Sequence, residues 1–370
     1  MIFIIGAGIT GLSIGNKLLS NGFDVHIFDH FIDGEATLAA VGMLAPLIEA
    51  KPHEEDLLDL MQESKMLWAE YSRKISTESK IDVGYKENSS ILVANDQDEI
   101  QKLMFKKKFL NKLGFEIDFL EKKEILRIEP LLSNNIQGGL FCRHQDQVNP
   151  IYLKKALQYL FLKKGGKITK KKILKLKIRK NKPYIYLDKD VYESHKIVIS
   201  AGAWSYKLLD NSFNLSIPIK PIKGVSMRLK VNKRSDKIKH NLWFNNIYVA
   251  PRTQGELVVG ATEEEKGFNN NIQVGEIYYL TKYLWESLPF TENYEILAFN
   301  SGFRPQSLDG APLIGELDVV SENIICAFGH FRHGILLSPI TAKIVLEILK
   351  NKKRKELYEK FLPKRFNLKV

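Results

Sequence analysis

An α/β fold is predicted for this chain, in which a parallel-sheet unit is interleaved with a smaller α+β unit built on an antiparallel sheet. Three observations predict it. Residues 1–29 read strand, glycine turn, helix, strand, and such a βαβ unit calls for a parallel sheet. Residues 323–350, NIICAFGHFRHGILLSPITAKIVLEILK, return to that style with a strand, a glycine turn and a helix. Between them, 83–140 and 216–300 are rich in strands without such a turn. The two styles alternate along 370 residues, too many for one simple core. Residues 1–82, 141–215 and 301–370 are therefore assigned to one domain, and 83–140 with 216–300 to the other.

The elements follow in order. Residues 3–5 are a short buried strand. Leu12, Ile14, Leu18 and Leu19 recur at roughly helical spacing over 10–20, and Asn21-Gly22 closes that helix, since glycine suits a left-handed cap. Residues 24–29 are the second strand. A small-residue stretch, ATLAAVGMLAP (36–46), precedes a long polar helix over 54–73. A strand in ENSSILVAN, a helix over 98–113, a strand near 115–120 and a short helix make up the first inserted piece. Asn149-Pro150 starts a helix that runs to about residue 164, Asn as cap and Pro in the first turn. Strands fill 167–200. Further strands dominate 217–300, with the hairpin YVAPRTQGELVVGAT and one helix over 274–287.

Composition narrows the function classes. The chain is 44% hydrophobic and 26% charged, as globular proteins are, and no stretch reaches the roughly 18 apolar residues of a membrane span. The apolar start has no basic n-region or small-residue cleavage site, so no secretory leader is expected. Cys142 and Cys326 stand far apart, which fits a reducing compartment, the cytoplasm, and offers neither a disulfide framework nor a metal spacing. The net charge is +12, but 44 of the 55 basic residues are Lys, whereas readers of phosphate and base edges favour Arg. The densest run, KKGGKITKKKILKLKIRKNK (163–182), interleaves Lys with Ile and Leu as solvated surface strands do. Nucleic acid is not expected as a partner.

The chemistry starts at GAGITG. It satisfies G-x-G-x-x-G after a strand and at the mouth of a helix. Gly6 permits the tight turn, Gly8 lets a pyrophosphate approach the backbone, and Gly11 lets helix and strand pack closely. Free N–H groups and the positive end of the helix dipole favour the phosphates. Asp29, 18 residues past Gly11, is placed to accept from a ribose hydroxyl. The sequence points to no catalytic His or Tyr-Lys pair of a nicotinamide enzyme. It shows two more glycine approaches instead, SAGAWS (200–205) and AFGHFRHGIL (327–336). Several close approaches of backbone suit a large tricyclic cofactor, FAD. The second of these turns is expected to open a helix near Gly334, with N–H groups toward the flavin N1/C2=O region.

Five segments then carry a resemblance over nearly the whole chain: GAGITG, AAVGMLAP followed by Glu49, SAGAWS, YVAPRTQGELVVGATEE, and SGFRPQSLDGAPLIG with GHFRHGILLSP. The sequence resembles the D-amino-acid oxidase-type family of FAD amine oxidases and, within it, the glycine oxidases of thiamine biosynthesis. The resemblance implies a Rossmann-like FAD-binding domain interleaved with an antiparallel-sheet substrate domain. It implies that Ile9, Thr10, Asp29 and His30 line the adenosine half of FAD, with an adenine contact near Ile173 or Leu174. Ala36 and Thr37, then Val41, Gly42 and Met43, would run beneath pyrophosphate and flavin. His330, Phe331, Arg332, His333, Gly334, Ile335 and Leu336 would wrap the isoalloxazine. Tyr248, Arg304 and Arg332 match the catalytic and substrate positions, with the backbone of Ala45 close by.

Two departures stand out. The Ser-rich approach found in many members reads ATLAAV here, so a hydroxyl contact to the flavin is missing, and Asn246 stands where a His can occur. No Cys lies near Arg304, so FAD is expected to be non-covalent. The implied reaction is oxidative deamination of glycine or small amines and D-amino acids, by hydride transfer and reoxidation by oxygen. A thiazole synthase partner and a homo-oligomer are implied too, and a dehydrogenase with another electron acceptor is the alternative.

The chemistry of an α-amino acid supports the same residues. Arg304 can hold its carboxylate by two parallel charge-assisted hydrogen bonds, and the Tyr248 hydroxyl can add a third. Arg304 is read in a Gly-Phe-Arg-Pro turn after a strand, a poor place for a free surface charge. Arg332 either binds substrate or only caps the flavin and gates the entrance, and Tyr248 either faces substrate or the core. Glu49 is read as a helix-start residue and Trp204 as packing near the cofactor.

Overall fold

The computed structural model describes residues 1–231, 237–253 and 255–369. Residues 232–236, Gln254 in the anticipated hairpin and Val370 lie outside the described residues. The anticipated α/β class is observed. β1 (Ile2–Ile5), helix α1 (Ile9–Leu19) and β2 (Val25–Asp29) open a six-stranded sheet. Its strand order is Leu313–Leu317, Ser321–Phe328, Lys196–Ile199, β1, β2, Lys167–Lys170. All neighbours run parallel except the first pair. β1 shows why the sheet is buried on both faces. Ile2 and Ile4 join a core with α1 and the helices Glu55–Ser79, Pro150–Lys163 and Ser338–Leu349. Phe3 and Ile5 join a second core, beneath a small antiparallel sheet of Lys175–Arg179, Lys182–Tyr186 and Val191–Glu193.

Local signals explain the element ends. Gly22 takes the left-handed conformation (φ +82°) just past α1. The Asn149 Oδ1 accepts from the backbone N–H groups of Ile151 at 3.1 Å and Tyr152 at 3.4 Å, capping the helix Pro150–Lys163. The long helix Glu55–Ser79 overruns its expected end at residue 73 and stops at Lys80 in a left-handed cap. Its last turns stay helical because Ile75 and Ser79 are buried.

The second sheet has eight strands. Their order is Glu295–Ser307, Ile219–Lys230, Glu256–Gly260, Tyr248–Pro251, Asn241–Trp243, Ser90–Ala94, Gly138–Cys142 and Asp118–Glu121. It is antiparallel except where Asn241–Trp243 meets Ser90–Ala94. Its core holds Ile91, Val225, Met227, Val249 and Leu280, the last from the helix Val274–Ser287. That helix carries a reciprocal cap between Gln273 and Glu276. It is tied to the sheet by a fully buried pair, Lys223 Nζ to Glu276 Oε1 at 2.7 Å.

Two local expectations are corrected. Gly-Phe-Arg-Pro is not a turn: the strand Glu295–Ser307 runs through it, at the sheet edge, with Pro305 opposite Pro221. An edge strand tolerates a residue without an N–H. The C-terminal helix begins at Ser338, not near Gly334. Pro339 fits its first turn, and residues 331–333 form a 3₁₀ turn with Phe331 at φ +48°. The basic run 163–182 comprises a helix end, the edge strand Lys167–Lys170 and the small sheet's surface, where Lys175, Lys177 and Arg179 lie over the Tyr186 ring.

Candidate active site

A cavity of about 690 Å³ runs from the GAGITG turn to the face of the second sheet. That size is ordinary for a site that encloses a sizeable ligand. At its first end the three glycines differ in purpose. Gly6 sits at φ +106°, where a Cβ would lie 2.5 Å from the Ser200 carbonyl oxygen. A Cβ on Gly11 would lie 2.0 Å from the Gly6 oxygen, so Gly11 packs behind the wall. Around Gly8, the N-cap of α1, an added Cβ meets nothing within 4 Å. The N-terminus of α1 therefore faces open space beside bare backbone, the cradle a pyrophosphate needs.

Asp29 closes this end. One carboxylate oxygen accepts from the Ala7 N–H and the other from the Phe31 N–H, which holds the group against the turn with lone pairs to spare for a ribose. Ile9, Thr10 and His30 line the same stretch of wall. Phe31, Ile32, Ile173 and Leu174 add an apolar mouth there, with Leu174 46% exposed. This apolar, partly open mouth next to Asp29 fits an adenine.

Ala36, Thr37, Val41, Gly42 and Met43 line the middle. Thr37 is the hydroxyl that remains there, while Leu38 turns out to solvent at 44% exposure. A residue not singled out from sequence holds this segment. Arg252 is buried; its guanidinium donates to the Val41 carbonyl and, at 2.9 Å, to the Val148 carbonyl. Burial pushes its pKa down to about 10, so it stays a cation at neutral pH. Trp204 lines the cavity and stacks on Phe268, with ring centroids 5.2 Å apart.

The far end brings together Tyr248, Arg304 and Arg332. Arg304 lies across Gly224 of the neighbouring strand, where a Cβ would come within 2.3 Å of its Nη1. Nη1 donates to the Thr262 carbonyl at 3.0 Å, and no described carboxylate pairs with the guanidinium. Tyr248 covers Gly260, whose absent Cβ would meet the ring at 2.4 Å, and lies 5.0 Å from the Trp243 ring. Arg332 is paired instead: Nη2 stands 3.4 Å from Glu49 Oε2, and Nη1 stands 3.6 Å from Glu263 Oε2. Glu49 and Glu263 raise its pKa further, against burial.

Glu49 is the largest revision at the site. It ends the short helix Pro46–Glu49 rather than starting one, and its carboxylate lines the cavity. Burial pushes its carboxyl up, but Arg332, His333, Lys106 and Lys51 together hold it below the usual range. Ala45 does not line the cavity; its carbonyl accepts from the Glu49 N–H at 3.1 Å. Asn246 does not line it either.

His330, Phe331, Gly334 and Ile335 form the last part of the wall, with His333 and Leu336 behind them. Burial pushes His330 down to about 3 and His333 down to about 4, so both rings are neutral at pH 7. His330 Nε2 lies 3.0 Å from Thr341 Oγ1. The Leu336 carbonyl accepts from Ser64 Oγ at 2.6 Å and Trp68 Nε1 at 2.9 Å, which pins the turn to the long helix. Arg252 and Glu263 lie within the segment YVAPRTQGELVVGATEE but are not singled out there, because their partners, the Val41 and Val148 carbonyls and Arg332, are distant in sequence; nothing in the sequence marks Trp243.

A family model described as FAD dependent oxidoreductase matches residues 1–348. A glycine oxidase of Geobacillus kaustophilus is 29% identical over 357 residues, covering 95% of this chain and 93% of that protein. The bifunctional protein ThiO/ThiG of Trichormus variabilis is 28% identical, covering 99% of this chain and 55% of that protein, so the chain spans about half of its length. The crystal structure of the Geobacillus kaustophilus glycine oxidase superposes with a TM-score of 0.89 at 26% identity over 95% of each chain. The L-proline dehydrogenase from P. horikoshii shares the fold, with a TM-score of 0.84 at 20% identity, covering 99% of this chain and 97% of that one.

Proposed function

Because the chain belongs to the DAO family of FAD-dependent oxidoreductases, we propose that it oxidises the amine of glycine or of a small D-amino acid. The observation that carries this reading is Arg304: a guanidinium at the cavity wall with no carboxylate partner among the described residues, in a cavity that Tyr248 also lines. A buried or half-buried cation is costly to leave unpaired, so the site is built for an anion from outside. A substrate carboxylate meets Arg304 in a bidentate fork and takes a further hydrogen bond from Tyr248. That grip fixes Cα and its hydrogen relative to the cavity's middle, which supplies alignment rather than acid–base chemistry. The neutral His330 and His333 offer no proton at pH 7.

Held non-covalently, FAD would supply the two-electron acceptor for the hydride that leaves Cα, with oxygen as the terminal oxidant. Ile9, Thr10, Asp29 and His30 would hold its adenosine half, and Val41, Gly42, Met43 and the His330–Ile335 turn its flavin. The imine that leaves Arg304 hydrolyses to the oxo acid and ammonia. The resemblance to glycine oxidases of thiamine biosynthesis supports a thiazole-forming step that takes up this product. A relative in which a chain like this is about half of a bifunctional protein supports a coupled second activity.

The test is peroxide release in air by the purified flavoprotein on glycine, sarcosine, D-alanine and D-proline. Peroxide in step with ammonia from the small amines is expected. Reduction of an artificial dye without peroxide would instead assign a dehydrogenase, and a chain that binds no flavin would overturn the reading altogether.

A further inference from the structure

We propose that Glu263, together with Glu49, keeps the Arg332 guanidinium occupied and thereby makes the pocket accept amines with one carboxylate and reject those with two. This rests on the reading that Arg304 takes the substrate carboxylate.

The two arginines at the far end of the cavity are not equivalent. Among the described residues Arg304 has only backbone carbonyl acceptors, Thr262 at 3.0 Å and Lys223 at 3.5 Å. Arg332 has a carboxylate on each side, Glu49 at 3.4 Å and Glu263 at 3.6 Å. A single short segment serves both. Thr262 gives its carbonyl to Arg304, and the next residue, Glu263, gives its carboxylate to Arg332. The segment leaves the strand Glu256–Gly260, whose last residue pairs with Tyr248. Its position is therefore set by the same hairpin that presents the tyrosine.

The charges follow. One cation is free and the other is offset by two anions. A monocarboxylic amine places its carboxylate on Arg304 and its ammonium toward Glu49 and Glu263. A dicarboxylic amine, such as iminodiacetate or D-aspartate, brings a second anion into a corner that already holds two carboxylates. It must either displace them from Arg332 or sit beside them unpaired, and like charges brought together select against a ligand. Glu49 is buried among cations and fixed; Glu263 is 48% exposed at its side chain and is the acid that a substitution can remove without leaving a buried hole. Glu263 acts through Arg332 and is a positioning residue.

The test uses the FAD-loaded full chain and its Glu263→Gln and Glu263→Asp variants. The quantity read is the ratio of kcat/KM for iminodiacetate and D-aspartate to that for glycine and D-alanine. In the parent this ratio is expected to be lower than unity by about 100-fold or more, because like-charge contact is strongly selective. Glu263→Gln should raise the ratio by about tenfold or more, the effect of freeing one cation for the second carboxylate, and Glu263→Asp should restore it. A merely structural loss would lower both rate constants and leave the ratio alone. The same ratio is read without turnover by titrating the flavin spectrum with acetate and with malonate. Malonate should gain on acetate in Glu263→Gln. A parent that handles dicarboxylates as well as monocarboxylates overturns the proposal, as does an unchanged ratio in Glu263→Gln. If no amine is oxidised, the reading of function fails by itself, and the acetate–malonate ratio still decides the role of Glu263.

Discussion

The Arg304 guanidinium fills the space that a Cβ on Gly224 would occupy. Gly224→Ala should therefore displace a flexible side-chain end rather than the backbone. The fold and flavin content should persist, while kcat/KM for glycine falls by about 100-fold, the usual result of misplacing a positioning group by an ångström. Arg304→Ala goes further. Leaving a desolvated carboxylate without its partner costs about 3–5 kcal/mol, or about 10²–10³ in kcat/KM. Steady-state kinetics with a flavin absorbance check decides both; a variant within a few-fold of the parent would remove Arg304 from the site. Arg304 itself was legible as a residue of a Gly-Phe-Arg-Pro turn, a poor place for a free surface charge; the segment is an edge strand, and it is the strand that carries Arg304 to the cavity. Glu263 and Arg252 were not, because each acts through a partner far away in sequence, Arg332 in the 331–333 turn and the Val41 carbonyl. Glu49 was misread as a helix start, since in sequence the small-residue stretch before it looks like a loop feeding a helix.

At the scale of elements, the glycine turn was the most legible part. Each of its glycines answers to a distinct local requirement: positive φ at Gly6, open space at Gly8, contact at Gly11. Gly11→Ala would put a methyl group 2.0 Å from the Gly6 oxygen and force α1 away from β1. The expected result is loss of bound FAD, measured by flavin released per chain, whereas Gly8→Ala, which meets nothing within 4 Å in the chain itself, should fold and lose only affinity for the pyrophosphate. Equal FAD retention in both would contradict the division of labour. The helix Val274–Ser287 was read at its observed bounds. The turn at 331–337 was not, because Gly334 in sequence looks like a helix mouth. The tertiary contacts of Leu336 with Ser64 and Trp68 hold a 3₁₀ turn there instead.

Across the whole molecule, the alternation of parallel and antiparallel styles was visible in sequence, but not which strands meet. The parallel contact of Asn241–Trp243 with Ser90–Ala94 joins segments about 150 residues apart and completes the wall beside Tyr248. Global stability should carry the signature of the two buried imidazoles. Folded, His330 and His333 titrate at about 3 and about 4; unfolded, near 6.5. Between those values the unfolded chain binds protons that the folded chain does not, so stability rises with pH. The contribution is complete above about pH 6.5 and is lost progressively below it, at about 1.4 kcal/mol per pH unit for each group, until the loss is complete near pH 4 for His333 and near pH 3 for His330. Denaturant titrations of the holoprotein at pH 7 and pH 5 should show this loss, and His333→Gln should lessen it; equal stability at both pH values would contradict it. The central claim is that the cavity aligns a small amino acid against the flavin through Arg304. Its most direct measurement is anaerobic mixing of the flavin-loaded protein with glycine, followed at the flavin band near about 450 nm. Bleaching of that band in the parent and its loss in Arg304→Ala is the predicted result. A band unchanged by glycine, sarcosine and D-alanine alike would contradict the account.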